Sequence, residues 1–134
     1  MKKIIGLTVL SFFCTSVLAG AVVVHPSNVA TMDKKIISKI FLGKTKNFSN
    51  GEEAIPLNLD PNDTSAEFTK EVLGKSESQI KAYWSKLLFT GKGQAPKSVS
   101  SDAKVIELVS KNPNTIGYVS DAAVTDGVKV ALKF

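Results

Sequence analysis

Apolar residues along this chain fall into two patterns, short continuous runs and stripes at helical spacing, and their alternation predicts most of the elements. Ala21-Val22-Val23-Val24-His25 is an apolar, mostly β-branched run stopped by Pro26, which suits a buried strand followed by a loop. Ile36, Ile37, Ile40 and Phe41 then recur at helical spacing, so a helix is expected over about 33–42, capped by Thr31 or Asp33 and ended by Gly43. Lys44 to Glu53 is polar and holds the turn signal Asn50-Gly51. Ala54-Ile55-Pro56-Leu57-Asn58-Leu59 reads as a second short strand, and its proline places it at an edge or at a strand start.

From Asp60 the pattern turns helical. Asp60-Pro61 reads as a cap with proline in the first turn, Phe68, Val72 and Leu73 share a face, and Gly74 closes the helix. Ser76-Glu77-Ser78-Gln79 matches a capping box, in which the first and last side chains each take the other's backbone N–H. The helix it opens carries Ile80, Tyr83, Trp84, Leu87 and Leu88, with Trp84 expected in the core and Tyr83 at its edge. Thr90 to Pro96 reads as a loop, and Ser100 or Ser101 caps a fourth helix bearing Val105, Ile106, Leu108 and Val109. Thr115 to Val119 and Gly127 to Leu132 complete the pattern as strands.

Strands separated by helices predict an α/β fold, a small three-layer sandwich with a largely parallel sheet covered on both faces. Ligands in such folds sit at the carboxyl ends of the strands. That rule selects the loop His25-Pro26-Ser27-Asn28 and the turn from Asn58 to Ser65, both rich in amides and hydroxyls. Ser27, Asn28, Asn62, Thr64 and Ser65 are the candidate ligand-binding residues. They are equally the residue types that bond local backbone in turns and caps.

The first 21 residues have the layout of a cleavable export signal. Lys2 and Lys3 precede an apolar run from Ile4 to Leu18, and Ala19-Gly20-Ala21 offers a small-residue cleavage site, after Ala21 or alternatively after Ala19. The run is short of the roughly 20 apolar residues a spanning helix needs. Cys14, the only cysteine, lies inside that run and follows Phe12-Phe13, unlike a lipidated cysteine. Removing residues 1–21 from the 134 leaves 113, enough for one domain with one core, so residues 22–134 are read as a single domain and the expected location is the periplasm.

Charge narrows the function classes. The chain holds 17 basic and 12 acidic side chains, a net +5, and losing Lys2 and Lys3 with the leader brings it to +3. Every basic group is lysine, a hydrated point charge without the planar fork that arginine offers to phosphate. The lysines are spread among acids, against the basic face interleaved with aromatics that nucleic acid demands. With His25 as the lone histidine and no hydrolase, zinc-protease or phosphate-loop motif, the chain is read as a non-enzyme without cofactor. Scattered carboxylates give no metal-ligand spacing.

Several words occur together in an informative order: Ile36-Ile37-Ser38-Lys39-Ile40-Phe41-Leu42-Gly43-Lys44 with Asn47-Phe48, then Ile55-Pro56-Leu57-Asn58, Phe68, Val72-Leu73-Gly74 and Asn114-Thr115-Ile116-Gly117-Tyr118-Val119. In this order the chain resembles, from residue 22 to about 120, the second lobe of phosphate ABC-transporter substrate-binding proteins. The resemblance implies one lobe of a type II periplasmic solute-binding protein, a phosphate or other small oxyanion as ligand, and an inner-membrane permease as partner. It also exposes departures. The family places an arginine and, four residues later, a Ser-Gly-Thr triplet around the anion. Here Asn58 stands for the arginine and Asn62-Asp63-Thr64 for the triplet, keeping only Thr64, while Asp60 and Asp63 set negative charge where the anion would lie. The family's proteins have two lobes that close on ligand, and this chain matches one. Two functions stay open: oxyanion binding for ABC transport through Ser27, Asn28, Asn58, Asn62, Thr64 and Ser65, or an accessory protein whose degenerate lobe docks another protein or a second copy of itself.

Overall fold

The computed structural model describes residues 19–134, so the basic start and apolar run of the expected leader lie outside the described residues. The elements are β1 (Gly20–Val24), α1 (Lys34–Phe41), β2 (Ile55–Leu59), α2 (Asp63–Glu71), α3 (Glu77–Phe89), β3 (Lys97–Val99), α4 (Asp102–Lys111), β4 (Thr115–Ser120), a 3-10 turn at Asp121–Ala123, and β5 (Lys129–Lys133). One five-stranded sheet has the order β3-β2-β4-β1-β5. β2 pairs in parallel with β3 and β4, whereas β1 runs antiparallel to both β4 and β5. Four of the five strands therefore point the same way, and the sheet is largely parallel as the element order predicts.

Caps set the helix starts. Asp33 Oδ1 accepts from Ile36 N at 2.8 Å and opens α1. Ser76 opens α3 through both bonds of the capping box, Gln79 N to Ser76 Oγ at 3.1 Å and Ser76 N to Gln79 Oε1 at 2.8 Å. Ser101 opens α4. α2 starts later than the proline suggests: Asn62 is its cap, and Asp60-Pro61 belongs to the turn before it. Pro56 lies at the start of an interior strand, where β3 begins pairing only opposite Leu57. β3 itself was not expected from sequence. With three residues and only Val99 buried it carries no periodic signal.

Tyr118 and Gly117 assign the helices to the two faces, because neighbouring strand residues point to opposite sides. The Tyr118 ring stacks on Phe68 of α2 with centroids 3.9 Å apart, and Phe41 of α1 meets Phe68 edge-on at 4.7 Å. On the other side a Cβ at Gly117 would lie 2.6 Å from Val105 Cγ1 and 3.7 Å from Val109 Cγ2, so α4 rests directly on the strand backbone. The crossover from β2 to β3 and the return from β3 to β4 move across the sheet in opposite directions, which puts α2 and α4 on opposite faces.

α3 differs from the other helices. None of its residues is fully buried, Trp84 is half-buried where a core position was expected, and Leu88 and Phe89 are exposed, the latter at 93%. Tyr83 anchors it by donating to Leu42 O at 2.7 Å. Over much of its inward face α3 borders space, not packed core.

Candidate functional site

Four of the six candidate residues gather at the carboxyl end of β2. Asn62 Oδ1 accepts from Ser65 N at 2.8 Å, and Ser65 Oγ accepts from Asn62 N at 2.8 Å while donating to Asn62 O at 2.9 Å. Ser65 is buried, and its carbonyl accepts from Thr69 Oγ1 at 2.8 Å. Thr64 is half-buried in the first turn of α2. Asn58, in β2, accepts through Oδ1 from the Tyr118 hydroxyl at 3.1 Å, and that hydroxyl accepts from Leu59 N at 3.2 Å. Burial pushes the Tyr118 pKa up to about 12, so the phenol is a neutral donor at neutral pH.

Ser27 and Asn28 lie at the opposite end of the sheet. β1 is the reversed strand: Val24 pairs with Ile116, which pairs with Pro56, so the loop after β1 sits at the amino ends of β2 and β4. A β-branched run encodes burial but not direction, and the carboxyl-end rule therefore does not bring this loop to the others. There Ser27 Oγ meets His25 Nδ1 at 2.7 Å, Asn28 Oδ1 accepts from Ala30 N at 2.9 Å, and Asn28 O accepts from Lys129 Nζ at 3.0 Å. These bonds shape a turn. Asn28 Nδ2 is buried and has no partner among the described residues.

Tyr118, Thr69, Ser98 and Trp84 were not among the residues selected from sequence, and they line a cavity of about 320 Å³ beside Asn58 and Ser65. It lies between α2 and α3 over the end of the sheet. Tyr118 and Trp84 look like ordinary strand and helix core positions in sequence, and only the fold brings them to one space. Asp60 and Asp63 are exposed at the start of α2, and among the described residues Lys81, on α3, is the one cation lining the cavity.

No family model matches the sequence, and no curated protein does. Among solved structures the chain is similar to an ABC-type phosphate transport receptor from Vibrio cholerae, with a TM-score of 0.62 and 16% identity over 84% of this chain and 45% of that one. It is similar to a Clostridium perfringens protein described as a phosphate ABC transporter substrate-binding protein with bound phosphate, with a TM-score of 0.61 and 18% identity over 84% of this chain and 44% of the other. For PstS from Borrelia burgdorferi the values are 0.61 and 16%, over 84% and 46%. The chain thus has the fold of about one lobe of these binding proteins and spans less than half of their length.

Proposed function

We propose that this chain is a non-enzymatic binding domain of the solute-binding-protein type, exported to the periplasm, and that it serves as an accessory lobe and not as a phosphate carrier. The reciprocal Asn62–Ser65 cap carries this reading. Two of the N–H groups that an oxyanion at this turn could take, those of Asn62 and Ser65, are held by the protein's own side chains, and Asp60 and Asp63 flank the turn without an arginine to offset their charge. The fold neighbours support the binding-protein class, two of them by descriptions that name phosphate transport.

A second reading keeps a small oxyanion such as phosphate as ligand, delivered to an inner-membrane permease. It is favoured by the half-buried Thr64 in the first turn of α2. Calorimetric titration with phosphate separates the two. The native chain should give no binding heat at millimolar phosphate, and micromolar affinity would overturn the accessory reading. Asn62→Ser with Asp63→Gly rebuilds the Ser-Gly-Thr triplet around Thr64 and should raise phosphate affinity at least about tenfold, because a hydrogen bond to a charged group contributes about 1.5–3 kcal/mol. No gain would mean that these side chains are not what limits phosphate binding by this lobe.

A further inference from the structure

Ile80 and Trp84 of α3 are only half covered, and so is Leu73 just after α2. All three border the cavity between α2 and α3, whose floor is the Phe41 and Tyr118 rings. Its volume of about 320 Å³ lies at the small end of ligand pockets, which run from about 300 to 1,000 Å³. The lining is mainly apolar and aromatic, with a few polar groups at one end, and that mixture fixes orientation in small-molecule sites.

The polar end states what the ligand must offer. Tyr118's hydroxyl is committed to Asn58 Oδ1 and Leu59 N, so the Asn58 amide nitrogen and the Ser98 hydroxyl, which make no side-chain bond to the described residues, are left to donate, and the Asn58 amide is the one beside the Tyr118 ring. Thr69 Oγ1 gives its proton to Ser65 O and keeps a lone pair to accept. The charged members of the lining, Lys81 and Glu77, are both exposed and lie four residues apart at the rim, so they add no net charge to the cavity. A dianion placed between Phe41, Tyr118 and Trp84 would lose its hydration with only the exposed Lys81, itself beside Glu77, at the rim, which is costly. A neutral ring would gain apolar burial and could lie against Trp84.

We infer that this cavity binds a small neutral organic molecule, cyclic or aromatic, with a hydrogen-bond acceptor directed at Asn58. The inference rests on the reading that the lobe is a binding domain whose oxyanion position is closed by its own cap, and it gives that domain a ligand class.

Trp84 is the only tryptophan and lines the cavity, so it reports occupancy. Titration of the chain without its leader with the neutral dye prodan, whose naphthalene ring carries a ketone acceptor, should quench Trp84 saturably, with energy transfer to the dye. Amide chemical-shift mapping by NMR should place the perturbations at the Asn58 side chain, Thr69, Ser98 and the Trp84 indole. Leu73→Phe, which narrows the cavity, should weaken the dye about tenfold, while Leu88→Ser with Phe89→Ser should leave it unchanged. Perturbations confined to Leu88 and Phe89 would overturn the inference, as would a native chain that gives no saturable quenching. Phosphate is titrated in a separate arm. Dye binding with micromolar phosphate binding would sustain the cavity and overturn the accessory reading, whereas absence of both would overturn the cavity alone.

Discussion

Tyr118 joins the core to the site, and its chemistry can be read through pH. Burial raises its pKa from 10.0 to about 12. Below pH 10 the folded and unfolded chains both hold the proton. Between pH 10 and 12 the unfolded chain releases it first, so stability present at lower pH is lost as pH rises, at up to about 1.4 kcal/mol per pH unit. Urea melts across this window should show a steeper loss for the native chain than for Tyr118→Phe, since lysine titration is common to both. Parallel curves would mean that water reaches the phenol. Ser76 gives a local test: Ser76→Ala removes one bond of a reciprocal cap and should cost about 1 kcal/mol in thermal melts. An unchanged melting temperature would show that the cap does not hold α3.

At the scale of elements, α3 and α4 lie at opposite extremes of packing. α4 rests on Gly117 with no room for a methyl group, and the atoms it would strike belong to the fully buried Val105. Gly117→Ala should therefore destabilise by about 1–3 kcal/mol, and pairing it with Val105→Ala should recover part of the loss in the same chemical melts. A neutral Gly117→Ala would place α4 farther from the sheet. For α3 the expectation is reversed. Trp84 is half-buried beside a cavity, so Trp84→Ala should cost less than the 3–5 kcal/mol typical of a packed tryptophan. Emission fully shifted to that of a core indole would contradict this placement.

For the whole molecule, the strand order bears on where the proposed leader would be cut. β1 begins at Gly20, and Ala21 is fully buried and paired with Val119 and Lys133. Cleavage after Ala21 would discard two of the five residues of the strand that joins β4 to β5, and cleavage after Ala19 would discard none. If the proposed leader is removed on export, N-terminal sequencing of the secreted form is expected to start at Gly20. A start at Val22 would mean that the sheet tolerates a shortened central strand.

Local order was legible in the sequence wherever a short-range rule governs it. The cap at Ser76 and the stripes of α1, α2 and α4 follow from spacing, and Asp33 and Ser101 are each one of the two caps that spacing offered, since each involves residues within a turn or two of one another. The largely parallel sandwich followed from the order of elements, and the words shared with phosphate-binding proteins pointed to the lobe that the fold comparison displays. What only the tertiary structure decided involves residues far apart in the chain. The direction of β1 is set by pairing with β4 about 95 residues later, and it separates Ser27 and Asn28 from Asn58, Asn62, Thr64 and Ser65. The bond between Tyr118 and Asn58 spans 60 residues, and the cavity above it exists because α3 is held by Tyr83 and its neighbours without filling the space to the sheet. Periodicity records which face of an element is apolar. It does not record whether the facing element comes close enough to cover that face, because that distance is set by the packing of every layer at once.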